Sequence, residues 1–288
     1  MFERIRNSWE LIKASWSVLK ADKELAIFPL ISGVGVILIS ITFILPMIAA
    51  GMFESLLGDN VQIFSYFLLF LYYVATYTVI FFANTALVGA AMIRLKGGDP
   101  TVRDGLNIAK ENFTSILGYA LIAATVGLVL RWLSEKTGAI GRFIIGLVGI
   151  AWTLATYMVV PVLVVEKVGP VDAIKRSTEL LKKTWGEQVA GNLGLGLIFG
   201  LLMVGVVLFT GLLAAASAGL ESFALMAIVL TIGAIAFLSL AIISSTLNSI
   251  YTAAVYLYAA EGKTGEWFDE QLIAQAFKTK EKRGFFGS

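Results

Sequence analysis

The sequence has no cysteine and no histidine among its 288 residues. Without thiols there is no disulfide, no thiolate nucleophile and no cysteine metal site. Without imidazole, the commonest metal ligand and the usual proton shuttle near neutral pH are missing too. Charge is also scarce, at 15% of residues against about 25% in a soluble domain. These absences argue against hydrolase, redox and zinc chemistry, and no catalytic, metal or cofactor site is expected. The space is filled by apolar residues, 58% of the chain with a mean hydropathy of +0.85. That composition belongs to an all-α integral membrane protein. The opening MFERIRNSWELIKASW lacks the apolar core and small-residue cleavage site of a signal peptide and is expected to be retained.

Uncharged runs divide the chain. They predict six transmembrane helices at 25–53, 62–93, 114–130, 143–165, 189–218 and 222–260, where a crossing needs about 20 residues. The 62–93 run exceeds that need and must tilt or project beyond the membrane. Pro46 is expected to kink or end the first span, and Pro161 falls near the exit of the fourth.

Three shorter, more polar stretches precede the span pairs: 1–22, 99–113 and 170–186. Phe2, Ile5, Trp9, Ile12, Trp16 and Leu19 stripe one helical face in the first, with Arg4, Arg6, Glu10, Lys13 and Lys20 elsewhere. Such a helix suits the bilayer interface, or packs on neighbouring helix ends. In the second, Asp99 is the expected N-cap ahead of Pro100. The third carries Val171, Ile174, Leu181 and Trp185 with Thr178 between. Aligned without gaps, IRNSWELIKASW from Ile5, VRDGLNIAKENF from Val102 and IKRSTELLKKTW from Ile174 share Lys13, Lys110 and Lys182 at the ninth place and Trp16, Phe113 and Trp185 at the last. The expected architecture is therefore three parallel pseudo-repeats of amphipathic interfacial helix plus two spans, 1–98, 99–168 and 169–261. A tail, 262–288, begins a partial fourth helix.

An even number of spans gives each repeat the same orientation, about an axis along the membrane normal. Nineteen of the 22 Lys and Arg fall on one side: five before the first span, four in 94–110, five in 167–183 and five in the tail. Three, within 131–142, fall on the other. By the positive-inside rule both termini are cytoplasmic.

The central part of each span is free of Asp, Glu, Lys and Arg, which argues against an ion-driven pump. Asn84, Asn192 and Asn248 are the candidate polar residues inside, read either as interhelical hydrogen bonds or as the lining of a cavity. Gly196 and Gly200 form a small-residue pair suited to close helix packing, within the chain or between chains. Basic residues on the cytoplasmic side are interspersed with acidic ones, so a solvated face is expected there, and nothing points to nucleic acid. Membrane lipids are the expected partners, with other membrane proteins or a homo-oligomer as further partner classes. The expected function is a non-enzymatic scaffold or lipid-interacting protein at the cytoplasmic leaflet. The alternative is a passive transporter or channel for a small uncharged or apolar solute.

One stretch, Pro161 to Ser177 (PVLVVEKVGPVDAIKRS), followed by Leu180 and Trp185, resembles a signature of uncharacterised prokaryotic six-span membrane proteins. Those are related to the membrane-anchor domain of glycerophosphodiester phosphodiesterases. The resemblance implies a prokaryotic inner or plasma membrane, with spans and short helices covering most of the chain. No catalytic phosphodiesterase domain is present, so no active site carries over. The run from Pro170 to Lys175 also fits the signature of mitochondrial carriers, but only once; the residues after Pro100 do not fit, and the short helices precede each span pair. That second resemblance is rejected.

Overall fold

The computed structural model describes residues 2–49, 63–185, 194–263 and 267–268. Among them the order is α1 (Phe2–Ala21), a 3₁₀ turn (Lys23–Ala26), α2 (Ile27–Ala49), α3 (Ile63–Leu95), α4 (Val102–Glu111), α5 (Phe113–Lys136), α6 (Ala139–Ala155), α7 (Val159–Glu166), α8 (Pro170–Trp185), α9 (Gly194–Gly219) and α10 (Phe223–Glu261). Six stretches are long and apolar enough to cross a membrane: Lys23–Ile48, Tyr66–Leu95, Phe113–Lys136, Ala139–Glu166, Ile198–Gly219 and Phe223–Glu261.

Length decides where the core sits. At 1.5 Å per residue, the 33 residues of α3 reach about 50 Å and the 39 of α10 about 58 Å, against a hydrocarbon core of about 30 Å. Each must project by about 20 Å or more, and burial marks the projecting part. Along α10, Ile228, Ile232, Ile235 and Leu238 are each more than half exposed, whereas Leu247, Ile250, Ala253, Val255 and Leu257 are at most 2% exposed. Along α3, Phe64 and Phe67 are exposed while Ala86 to Leu95 are almost wholly buried. The other helices repeat the division. Exposed apolar side chains run along α2, α6 and α9. The result is a packed helical head at one end and an apolar belt whose helices leave much of their surface uncovered.

The head is built by the short helices wrapping the projecting ends. Helix α1 packs on α9 and α10, α4 lies on α3, and α8 packs against α5, α6, α7 and α10. Their sequences allow this because each has one face without charge: Leu11, Ile12, Ser15, Val18 and Leu19 are buried in α1, Gly105 and Ala109 in α4, and Ala173, Ser177 and Leu180 in α8. Trp9 and Trp16 are exposed at the edge of that face, so the buried side of α1 is turned away from the stripe drawn through the tryptophans.

Ion pairs tie the head together. The Arg94 guanidinium, at the end of α3, meets Asp22 at 3.0 Å and also Asp99. Lys96 meets Glu261 at 2.9 Å, joining the ends of α3 and α10. Arg176 Nε donates to Glu166 Oε1 at 3.0 Å, and the Tyr256 hydroxyl donates to the same oxygen at 3.1 Å.

Three features differ from the sequence reading. Helix α2 does not end at Pro46 but runs on to Ala49, the last residue described there. The N-cap of α4 is Thr101, not Asp99, because Asp99 is drawn to Arg94. Thr101 and Asp104 form a reciprocal capping box. The fourth span is two helices, α6 and α7. The partial fourth helix expected in 262–288 lies outside the described residues except at 262–263 and 267–268, where Phe268 is buried in the head.

Hydrogen bonds from Thr101 hold the Asp104 carboxyl below its ordinary value. A carboxyl lowered by folding stabilises above its unfolded pKa, and that contribution is lost as pH falls through the lowered one. Hydrogen exchange at residues 102–106, corrected for its intrinsic pH dependence, should therefore stay slow until below the usual carboxylate range. In Thr101→Val the loss of protection should begin at higher pH.

Candidate functional site

The break between α6 and α7 lies beside a cavity that gathers polar side chains from four spanning stretches. Pro161 has no N–H for the carbonyl of residue 157, and it disfavours helical geometry at Val160. The chain turns over residues 156–158 and restarts with Pro161 in the first turn of α7, where a missing N–H costs nothing. Helix α8 supports both sides of the break. The buried Met158 N–H donates to Ser177 Oγ at 3.0 Å, and Thr178 Oγ1 approaches the Ala155 carbonyl at 3.5 Å while donating to the Ile174 carbonyl at 2.9 Å. A helix of the head thus splints a spanning helix.

Replacing Ser177 with Val would leave the Met158 N–H buried without an acceptor, a loss of about 1–3 kcal/mol. We expect a lower unfolding midpoint in detergent for Ser177→Val, followed by tryptophan fluorescence, and near-native behaviour for Ser177→Thr.

The turn faces a cavity of about 150 Å³. Helix α3 contributes Phe81, Asn84 and Val88, and α5 contributes Tyr119. The broken span contributes Thr156, Tyr157, Val160 and Pro161, and α10 contributes Asn248, Ser249 and Thr252. The Ser249 hydroxyl donates to Asn84 Oδ1 at 2.8 Å. Thr252 Oγ1 lies 3.2 Å from the Tyr157 hydroxyl and 2.8 Å from the Asn248 carbonyl. The lining mixes apolar side chains with hydroxyl and amide groups in about equal share and carries no charged side chain. A row of rings leads to it from the belt: Tyr73 to Tyr77 at 6.0 Å, Tyr77 to Phe81 at 5.7 Å and Phe81 to Tyr119 at 4.4 Å.

Of the polar residues singled out by sequence, Asn84 and Asn248 line this same cavity from α3 and α10. Asn192 lies outside the described residues. Trp16 and Phe113 are exposed, as are Lys13, Lys110 and Lys182; of the Trp185 side chain nothing is described. A Cβ added at Gly196 or Gly200 would meet no atom within 4 Å, so neither glycine makes a close helix contact among the described residues. Sequence reasoning passed over Tyr119, Thr156, Tyr157 and Thr252, whose residue types are ordinary in an apolar helix. Two faint signals pointed there: Thr156 and Tyr157 sit one turn before Pro161, and Thr252 follows Asn248 by one helical turn.

Fold and site together define an all-helical protein with six stretches suited to crossing a membrane and an uncharged cavity, part polar and part apolar, beside a broken span. A model of a family of unknown function, DUF6159, matches residues 63–268, and the chain belongs to that family. The match begins at α3 and takes in every helix that lines the cavity, leaving α1 and α2 outside. No curated protein matches the chain.

Proposed function

We propose that the chain is a non-enzymatic, lipid-interacting protein of a prokaryotic inner or plasma membrane, working at the cytoplasmic leaflet. One observation carries the reading: the belt helices keep their apolar side chains largely uncovered, while the head is packed like a soluble core. Uncovered apolar surface at bilayer depth is covered by acyl chains. The head end collects the Lys and Arg of 4–23, 94–110 and 167–183, whereas Arg131, Lys136 and Arg142 mark the opposite end, and this supports a cytoplasmic head.

Three pseudo-repeats, 1–98, 99–168 and 169–261, fit the same reading. A short helix precedes two long stretches each time, and each second stretch ends beside a left-handed residue: Gly97 (φ 87°), Lys167 (φ 48°) and Gly262 (φ 69°). In the aligned dodecapeptides, Lys13, Lys110 and Lys182 are all exposed. Native mass spectrometry of the purified chain is expected to retain bound lipid, with acyl density between the belt helices by electron microscopy. Bare protein with tightly closed spans would sink the proposal.

The shared placement of Asn84 and Asn248 favours one alternative, a passive path for a small uncharged solute. The chain is naturally free of cysteine, so single cysteines at 84, 192 and 248 can be scanned directly. Labelling of all three by a water-soluble maleimide favours transport; unreactive cysteines remove it.

A further inference from the structure

We propose that the cavity beside the α6–α7 break holds the head of a neutral, hydroxyl-bearing lipid of the diacylglycerol class, with its acyl chains lying on the belt. The inference rests on the lipid-interacting reading above and adds which lipid and where.

Depth is the first argument. On α10 the cavity is lined at residues 248–252, directly after the change from exposed Leu238 to buried Leu247. On α3 it is lined at 81–88, between exposed Leu71 and buried Leu95. Both helices place it at the boundary of belt and head, the level at which ester carbonyls and glycerol sit in a leaflet. A ligand bound there has its polar end in the cavity and its tails beside exposed apolar helices. The stacked ring row from Tyr73 to Tyr119 lines the way from the belt to the cavity.

Charge is the second. Asn84, Tyr119, Asn248, Ser249 and Thr252 offer amides and hydroxyls, and no Lys, Arg, Asp or Glu lines the site. A phosphate would enter without a cation to meet it, and an amine without a carboxylate, each at a large desolvation cost. An uncharged head avoids that cost. With its Oδ1 engaged by Ser249, Asn84 keeps its amide N–H groups for an ester carbonyl, and the Asn248 amide can serve the free hydroxyl.

Size is the third. A volume of about 150 Å³ equals about five water shares. That is room for a glycerol ester.

The test uses the full chain in nanodiscs of phosphatidylethanolamine and phosphatidylglycerol. Each sample is doped with a small fraction of photoactivatable diacylglycerol or of phosphatidylglycerol bearing the same diazirine chain, and cross-linked peptides are mapped. The diacylglycerol probe should be enriched on residues flanking the cavity in α3, α5 and α10. Asn248→Ala and Ser249→Ala should each lower that labelling by about fivefold, the loss expected for one neutral hydrogen bond. Asn248→Ala breaks no side-chain hydrogen bond among the described residues and should keep its unfolding midpoint, so it decides alone should Ser249→Ala, which unpairs Asn84 Oδ1, lower its own. Equal labelling by the two probes, or labelling indifferent to both substitutions, overturns the inference while leaving general lipid binding in place. Absence of any enrichment over bulk lipid overturns both.

Discussion

Replacing Arg94 by Met is expected to lower stability by about 2–4 kcal/mol, the largest effect of any single charge substitution in the head. The reason is asymmetry in burial. The Asp22 side chain is 7% exposed and Arg94 17%, whereas Asp99, the second partner, is 90% exposed. Removing the guanidinium leaves the Asp22 carboxylate buried without its partner. Removing Asp99 takes away only an exposed partner and leaves Arg94 paired with Asp22, and exposed pairs contribute about 0–1 kcal/mol. Asp22→Asn should fall between the two, because Arg94 keeps Asp99. The double variant Asp22→Leu/Arg94→Met should recover much of the loss, since neither charge is then left unpaired. Thermal unfolding in a single detergent, read by tryptophan fluorescence, orders the four variants. A milder effect for Arg94→Met than for Asp99→Asn would show that Asp22 is not held as described. The consequence reaches beyond stability. Asp22 follows α1, Arg94 ends α3 and Asp99 leads to α4, so this cluster joins three elements of the head, and Glu24 reinforces it by accepting the Val102 N–H at 3.1 Å.

The apolar helices were legible because charge bounds them sharply: Arg94, Glu166 and Glu261 each stand at the end of a long uncharged run. What the sequence could not separate was the fate of that apolar surface. Residues 246–260 of α10 are as free of charge as residues 223–240, yet most of the first set is buried in protein and most of the second exposed. Hydropathy reports transfer out of water and is silent on whether lipid or protein replaces it. Excess length was the usable clue, since α3 and α10 cannot fit within a bilayer. The break at residues 156–158 was half legible. Pro161 announces a helix start, but the partners that stabilise the turn, Ser177 and Thr178, come from another helix, and no local pattern encodes them. Asn84 and Asn248 stood out singly as polar residues in apolar runs. Their meeting is a tertiary fact, reached only once α3 and α10 pack side by side.

Glycine supplies a sharper discrimination between head and belt. Alanine at a solvent- or lipid-facing helical glycine normally stabilises by about 0.5–1 kcal/mol, because the unfolded chain loses freedom. At Gly105 in α4 the sign should reverse. A Cβ there would lie 2.5 Å from the Phe28 ring and 2.6 Å from the Ala86 carbonyl oxygen. The ring can shift slightly, but the carbonyl belongs to the backbone of α3, so α4 itself must move away. Overpacking of this kind costs about 1–3 kcal/mol, and Gly105→Ala should show that loss in the unfolding midpoint. Gly196→Ala and Gly200→Ala, with open space around both sites, should match the parent or exceed it. The comparison also tests how copies of the chain associate. Should Gly200→Ala prove as damaging as Gly105→Ala, a contact beyond the described residues covers α9, and a dimer that the substitution dissolves, read by native mass spectrometry, would assign it to a second chain. Should it prove harmless, that face of α9 is left to lipid, as the uncovered side chains around it require.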